Sequence, residues 1–370
     1  MVDVSDFFSD FECAYLGDVK ETSPGTFNTS PQSRDEYGQQ GSLGIWVCGG
    51  IYLAGNMDSA ARIEITDASD ADLIPCYSPD RRRWNPVPTR RSSFDFDLPL
   101  PDGWNEVYFA TAYPYTFSQE LRHTGGLSES PHASVDVLGR TSKGRDIHAL
   151  TIGDVDADCR AFIQTGLHGA ETASIYGVEG MIDHLVSGRP EATEMLDRTA
   201  FKIVPMLNVD AQYLGLDRRN ANGINLFYDW GPSGWDGDDP SIPVGGFSQA
   251  ETCLVRDAVL EWEPDVFIDL HSWHFAGDGF WGPDPVPSSP EVTRLRDSTS
   301  SHLHAQHFFE RGAISNPASY IAVELSIPTS TTELALGFDS RGRPKTPGMM
   351  REQGVQVLRG VCDYLNSRKS

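Results

Sequence analysis

Lysine is nearly missing from this chain. Only 5 of its 29 basic residues are Lys, against 34 Asp among 53 acidic residues, and the formal charge is -24. Such a surface repels phosphate backbones, which argues against general nucleic-acid binding. It is also the surface that solubility in concentrated salt demands; the plainer reading is an ordinary acidic protein. No apolar run approaches the ~18 residues that cross a bilayer, so no membrane association is expected. The opening residues, MVDVSDFFSDFECAYLG, carry neither the basic stretch nor the apolar stretch of a secretory leader, and a cytoplasmic location is expected. Six cysteines, Cys13, Cys48, Cys76, Cys159, Cys253 and Cys362, stand far apart without a CxxC pair. Free thiols are therefore expected, rather than a disulfide framework or a Cys-type zinc site.

What is present is ample core material. The chain has 370 residues, 39% of them hydrophobic, which suits about two domains at ~100–200 residues each. Up to about residue 120 the text is short β-runs, such as Leu43–Leu53, Ala61–Ile65 and Val107–Ala112, punctuated by Pro and Gly. That pattern predicts a small all-β sandwich. Residues 123–135, HTGGLSESPHASV, read as a polar loop, and the division is placed there: a β-sandwich over 1–122 and a second domain over 123–370. From 136 onward strands alternate with helices. Strands are predicted at Ile147–Ile152, Ala161–Thr165, Phe201–Leu207, Asp265–Leu270 and Thr331–Leu336. Helices are predicted at Glu171–Val186, Gln249–Trp262 and Met350–Leu365. This alternation predicts an α/β domain with a mixed sheet, whose chemistry lies at the carboxyl ends of strands. The Asp/Gly-rich stretch Trp230–Gly246 reads as a surface loop.

Four groups of residues carry candidate chemistry. His168-Gly-Ala-Glu171 follows one strand and opens a helix, so a nitrogen and a carboxylate oxygen can face one point, as a tetrahedral metal requires. Standing alone, HxxE is also a common accident of amphipathic helices. His271 ends the apolar strand beginning at Asp265; it is either a core histidine or a third ligand. His2Glu with one open position is a catalytic zinc arrangement. Glu333 lies inside the apolar run Thr331-Thr-Glu-Leu-Ala-Leu, where a carboxyl is costly without a task. Beside zinc it is a general base; otherwise it is an edge-strand residue facing solvent. Glu324, in a predicted short helix at Ser319–Ile327, is its rival. Finally, Arg218-Arg219 precede a Gly turn and suit a carboxylate clamp or an oxyanion contact, or else form a solvated basic turn.

In order and spacing these residues resemble the zinc carboxypeptidases of peptidase family M14, in particular the cytosolic carboxypeptidase-like branch. The match runs through Val137–Leu150, His168–Glu171, Phe201–Asp210, Asp269–Ser272 and Thr332-Glu333. Tyr108–Ser118 resembles the junction between the sandwich and peptidase domains. The resemblance implies one Zn²⁺ per chain on His168, Glu171 and His271, Glu333 as the catalytic base, and Arg218 at the oxyanion. It also exposes a departure. Where the family carries Asp-x-Asn-Arg, this chain has Asn225, Phe227 and Tyr228. Asn225 retains a hydrogen-bond acceptor for a ligand histidine but lacks the charge, and Phe227 and Tyr228 cannot replace a bidentate Arg. Arg218 or Arg219 is then the candidate reader of a terminal carboxylate. The family's phenolic Tyr has only Tyr320 as a nearby counterpart.

The expected function is zinc-dependent hydrolysis of an amide bond at or near a peptide C-terminus. Two alternatives stand beside it. One is a zinc deacylase acting on N-acyl amino acids or other small amides, favoured by the missing Asn-Arg pair. The other is a catalytically decayed binding module, disfavoured by the intact ligand set and Glu333.

Overall fold

Along Thr26–Thr29, Ser59–Ile65, Cys76–Ser78 and Asp95–Leu100 buried residues alternate with more exposed ones, which leaves each of these strands one apolar face. In a computed structural model describing residues 2–31, 44–53, 59–231, 245–282, 290–303, 305, 307–310 and 316–368, those faces meet. The strands are β1 (Phe7–Phe8), β2 (Lys20–Ser23), β3 (Thr26–Thr29), β4 (Cys48–Tyr52), β5 (Ser59–Ile65), β6 (Cys76–Ser78), β7 (Asn85–Pro86), β8 (Thr89–Ser92), β9 (Asp95–Leu100) and β10 (Glu106–Ala110). They form two sheets, ordered β1-β4-β10-β6-β7 and β2-β3-β5-β9-β8, with β3 and β5 as a parallel pair. Ile63, Phe96 and Leu98 of one sheet pack with Ile51, Val107 and Phe109 of the other. This is the expected sandwich. All six cysteines are free thiols, and only Cys253 is not buried.

The predicted loop over 123–135 is not a loop. Thr116 accepts from the Gln119 amide while Gln119 returns to the Thr116 amide, a capping box that starts helix α1 (Phe117–Gly126). A single 3-10 turn at Leu127–Glu129 follows, with Leu127 buried, and β11 (Ala133–Arg140) begins soon after. The division placed between residues 122 and 123 thus falls inside a helix. The polar composition misled because α1 lies on the surface and buries few residues.

The second region is built on an eight-stranded mixed sheet. It comprises β11, β12 (Asp146–Ile152), β13 (Cys159–Thr165), β14 (Thr199–Val204), β15 (Val266–Trp273), β16 (Gly279–Gly282), β17 (His307–Glu310) and β18 (Thr329–Ala335). Their order is β11-β12-β14-β13-β15-β18-β16-β17. The central four, β14, β13, β15 and β18, run parallel, so their carboxyl ends share one edge. β14 ends three residues short of the predicted strand because the chain bends at Pro205 and Leu207, while the Leu207 and Asn208 amides still donate to the Thr165 and Gly166 carbonyls at and just past the end of β13. Helix α2 (Thr172–Leu185) is buried on nearly every side. Following α3 (Pro190–Leu196), α4 (Val209–Leu214), α5 (Ala250–Trp262), α6 (Pro290–Leu303) and α7 (Pro317–Glu324), helix α8 (Pro347–Arg368) closes the chain against α2. A Cβ on Gly354 would stand 1.8 Å from the Gly177 carbonyl oxygen, so the two backbones meet with no side chain between them. Most of the Trp230–Gly246 stretch, residues 232–244, lies outside the described residues. Among those described, no helix is long and apolar enough to cross a membrane.

Candidate metal and catalytic site

Three parallel strands deliver the candidate residues to one edge. His168 lies just past the end of β13, and Glu171 immediately precedes α2. His271 lies near the end of β15, where its partner in β18 is Glu333. One side chain each from two neighbouring strands and two from the adjoining turn therefore share one patch. All four are buried.

The donor atoms converge. One ligand atom each from His168, Glu171 and His271 lies within 4.8 Å of the others. His168 Nδ1 is 2.6 Å from Glu171 Oε1, and His271 Nδ1 is 2.9 Å from Glu171 Oε2. The outer ring nitrogens are also engaged: His168 Nε2 donates to Asn225 Oδ1 at 3.0 Å and His271 Nε2 to Asp269 Oδ2 at 3.0 Å. Asn225 Oδ1 also accepts from the Phe227 amide, which identifies it as the carbonyl oxygen. With Nε2 committed as donor on both rings, a neutral imidazole turns a lone pair toward the Glu171 carboxylate. Two ring nitrogens and a carboxylate facing inward in a buried space suit a cation between them, a metal ion or a proton carried by a ring. The residues fit a divalent metal with nitrogen and oxygen preferences, as zinc has.

Burial disfavours an ionised Glu171, yet the His168 and His271 rings outweigh it and hold its carboxyl well below the usual range. Burial likewise opposes charge on His271, but Asp269 and Glu171 raise it well above an ordinary histidine. His168 is lowered, chiefly by burial. Glu333 is pushed up to about 8 by burial and by the neighbouring Glu171 charge, with His271 and Arg218 acting the other way. Its Oε2 has no hydrogen-bond partner among the described residues. Glu324, by contrast, is exposed at the end of α7.

The two adjacent arginines part company. Arg218 is half-buried, makes no ion pair among the described residues, and acts electrostatically on His168 and Glu333. Arg219 is buried, at 3% exposure. Of its two expected places, beside the substrate and behind a ligand histidine, Asn225 takes the second, on the outer side of the His168 ring. The Phe227 ring stands 5.3 Å from the His271 ring and 6.1 Å from the His168 ring, with Tyr228 5.2 Å beyond it. Tyr320 packs with Phe247 and Trp230. One residue had no assigned role in the sequence reading: Asp269. The signal was available, because it stands two positions before His271 in a wholly buried strand and so shares its face.

The sequence profile of the zinc carboxypeptidase family matches residues 122–307. Human cytosolic carboxypeptidase 6 is 31% identical over 189 residues, covering 48% of this chain and 36% of that protein. The mouse protein of the same name is 30% identical over the same length, covering 34% of itself. The chain thus spans about a third of the length of these curated relatives. Among solved structures, a metallo-carboxypeptidase from Burkholderia cenocepacia superposes with a TM-score of 0.79 at 21% identity, covering 98% of this chain and 99% of its own. One from Pseudomonas aeruginosa gives 0.77 at 19%, covering 97% and 99%. At such identities the structural likeness speaks to the fold, and it extends through the N-terminal sandwich.

Proposed function

This chain belongs to the zinc carboxypeptidase family, and from that premise we propose that it is a zinc-dependent hydrolase of amide bonds at or near a peptide C-terminus, acting in the cytoplasm. The observation that carries the reading is the placement of His168, Glu171 and His271 around one point with Glu333 on the adjoining strand. When bound, zinc supplies a Lewis acid that acidifies water and polarises the scissile carbonyl. Asn225 and Asp269 fix the two ligand rings from outside. Glu333 takes the proton of the attacking water on its unpartnered Oε2 and passes it to the leaving amine. Arg218, the half-buried member of its pair, stabilises negative charge on the carbonyl oxygen. Tyr228, which is partly exposed, is assigned to the outer wall of the substrate site, whereas Arg219 is buried and is given no contact with substrate.

A second reading, deacylation of N-acyl amino acids or other small amides, is favoured by Phe227. Its ring faces the ligand histidines where the family pattern has a polar pair. Losing a charge-assisted bond to a terminal carboxylate costs ~1.5–3 kcal/mol, or roughly 10–150-fold in discrimination. The zinc-loaded protein should therefore cleave peptides with free C-termini, with weaker preference over amidated ones than an Asn-Arg pair would impose. The test is kcat/KM on matched free and amidated peptides beside N-acyl amino acids, in the parent and in Arg218→Ala. Turnover confined to N-acyl amino acids would transfer the assignment to the second reading.

A further inference from the structure

The sandwich touches the site through the segment that leads into Arg218. Asp217 is buried, at 1% exposure, and its Oδ2 accepts the backbone amides of Gly44 at 2.8 Å and Ile45 at 3.5 Å. Gly44 and Ile45 lead into β4 of the sandwich. Four residues before Asp217, the Tyr213 carbonyl accepts the Cys13 amide at 2.9 Å, and the Cys13 carbonyl in turn accepts the Trp46 indole at 3.1 Å. The sandwich therefore grips residues 213–217 at two points. The same segment grips the HxxE turn. The Asp217 carbonyl accepts the Ala170 amide at 3.0 Å, and Ala170 stands between His168 and Glu171. At Gly169 a Cβ would come within 2.0 Å of the Leu216 carbonyl oxygen, so the two backbones are in direct contact. Arg218 follows immediately.

We infer that Asp217 is a positioning residue through which the N-terminal sandwich holds the HxxE turn and Arg218 in place, making the sandwich a structural part of the site. A carboxylate accepting two backbone amides from another sheet is a strong, directional tie. Local bonds, such as that from the Leu216 amide to the Ala211 carbonyl at 2.9 Å, close the end of the six-residue α4, and the Asp217 tie adds a hold from a separate sheet. The inference rests on the proposed hydrolytic function for its kinetic readout, and on zinc affinity for an independent one.

The experiment is a double-mutant cycle at saturating zinc. Asp217→Ala should lower kcat/KM by about tenfold or more, the cost of a lost bond to a charged group. In the Arg218→Ala background the same change should cost less than about twofold, since a tie acting through Arg218 has nothing left to position. Asp217→Asn keeps an acceptor for Gly44 and should show a smaller loss that likewise disappears with Arg218; it serves if the alanine variant does not fold. Zinc affinity, read by chelator competition, should fall in Asp217→Ala because the HxxE turn loosens. Losses that multiply with Arg218→Ala, or parental kinetics and zinc affinity in Asp217→Ala, would overturn the inference. A parent that hydrolyses no peptide would instead count against the functional reading, and zinc affinity would still decide the role of Asp217.

Discussion

Glu333 illustrates what a buried strand does to a carboxyl. Burial and Glu171 push it up to about 8, and a base must be ionised to accept a proton. Activity should therefore fall as pH drops through its pKa. A bound zinc ion adds positive charge and lowers that value, so the acidic limb of kcat/KM should lie below pH ~8 in the loaded enzyme. Removing Arg218, whose charge favours the ionised form, should move the limb upward. Glu333→Gln should keep zinc and lose ~10²–10⁴-fold in turnover, while Glu324→Gln stays at the parental rate. Zinc content and single-substrate kinetics on both variants check this; a dead Glu324 variant beside a live Glu333 variant would reverse the assignment. His271→Ala should emerge largely free of zinc. Asp269→Asn, which keeps the shape but removes the charge behind His271, should weaken zinc by ~10–100-fold in a chelator titration.

Among the elements, α1 joins the sandwich side to the mixed sheet through one charged pair. Glu120 of α1 is buried and takes His148 Nδ1 of β12 at 2.9 Å. That hydrogen bond raises the His148 pKa above its usual value, against the opposing effect of burial. A histidine whose folded pKa is raised gives its full contribution below the unfolded value of ~6.5 and loses it as pH climbs through the folded value. The stability gap between the parent and His148→Phe should thus be wider at pH 6 than at pH 9, as read from urea midpoints. A gap independent of pH would mean that the pair contributes only packing. The ligand-bearing turn depends on the same kind of element-level support: the Ser272 amide and hydroxyl reach Glu171 Oε2 at 3.1 Å and the Glu171 carbonyl at 3.2 Å.

Over the whole molecule, charge dominates. A formal charge of -24 with 5 Lys makes self-repulsion large in dilute buffer. Raising salt to 1 M shortens the Debye length to ~3 Å and screens it. The melting temperature should rise from dilute buffer to molar KCl; an unchanged value would remove the reading of a protein adapted to concentrated salt. Surface ion pairs, such as Arg91 with Asp97 at 2.9 Å and Arg359 with Glu191 at 2.7 Å, offset little of this repulsion.

By itself the sequence determined the layered architecture and the residues that meet at the strand edge. Period-two alternation and buried apolar runs are local properties, and His168, Glu171, His271 and Glu333 stand out because each interrupts apolar surroundings where a polar group needs a partner. What only the tertiary structure decided is how residues distant in the chain, or neighbouring on a turn, are aimed. Arg218 and Arg219 are adjacent in sequence, yet one borders the site and the other is buried, because a turn sends successive side chains in different directions. The family resemblance offered Asn225 as an acceptor for a ligand histidine, but that the histidine is His168, 57 positions away, is something no spacing rule contains. The pairing of Glu333 with His271 is a register between strands more than 60 residues apart. The tie from Asp217 to Gly44 spans 173 positions, and only the packing of the sandwich on the mixed sheet closes it.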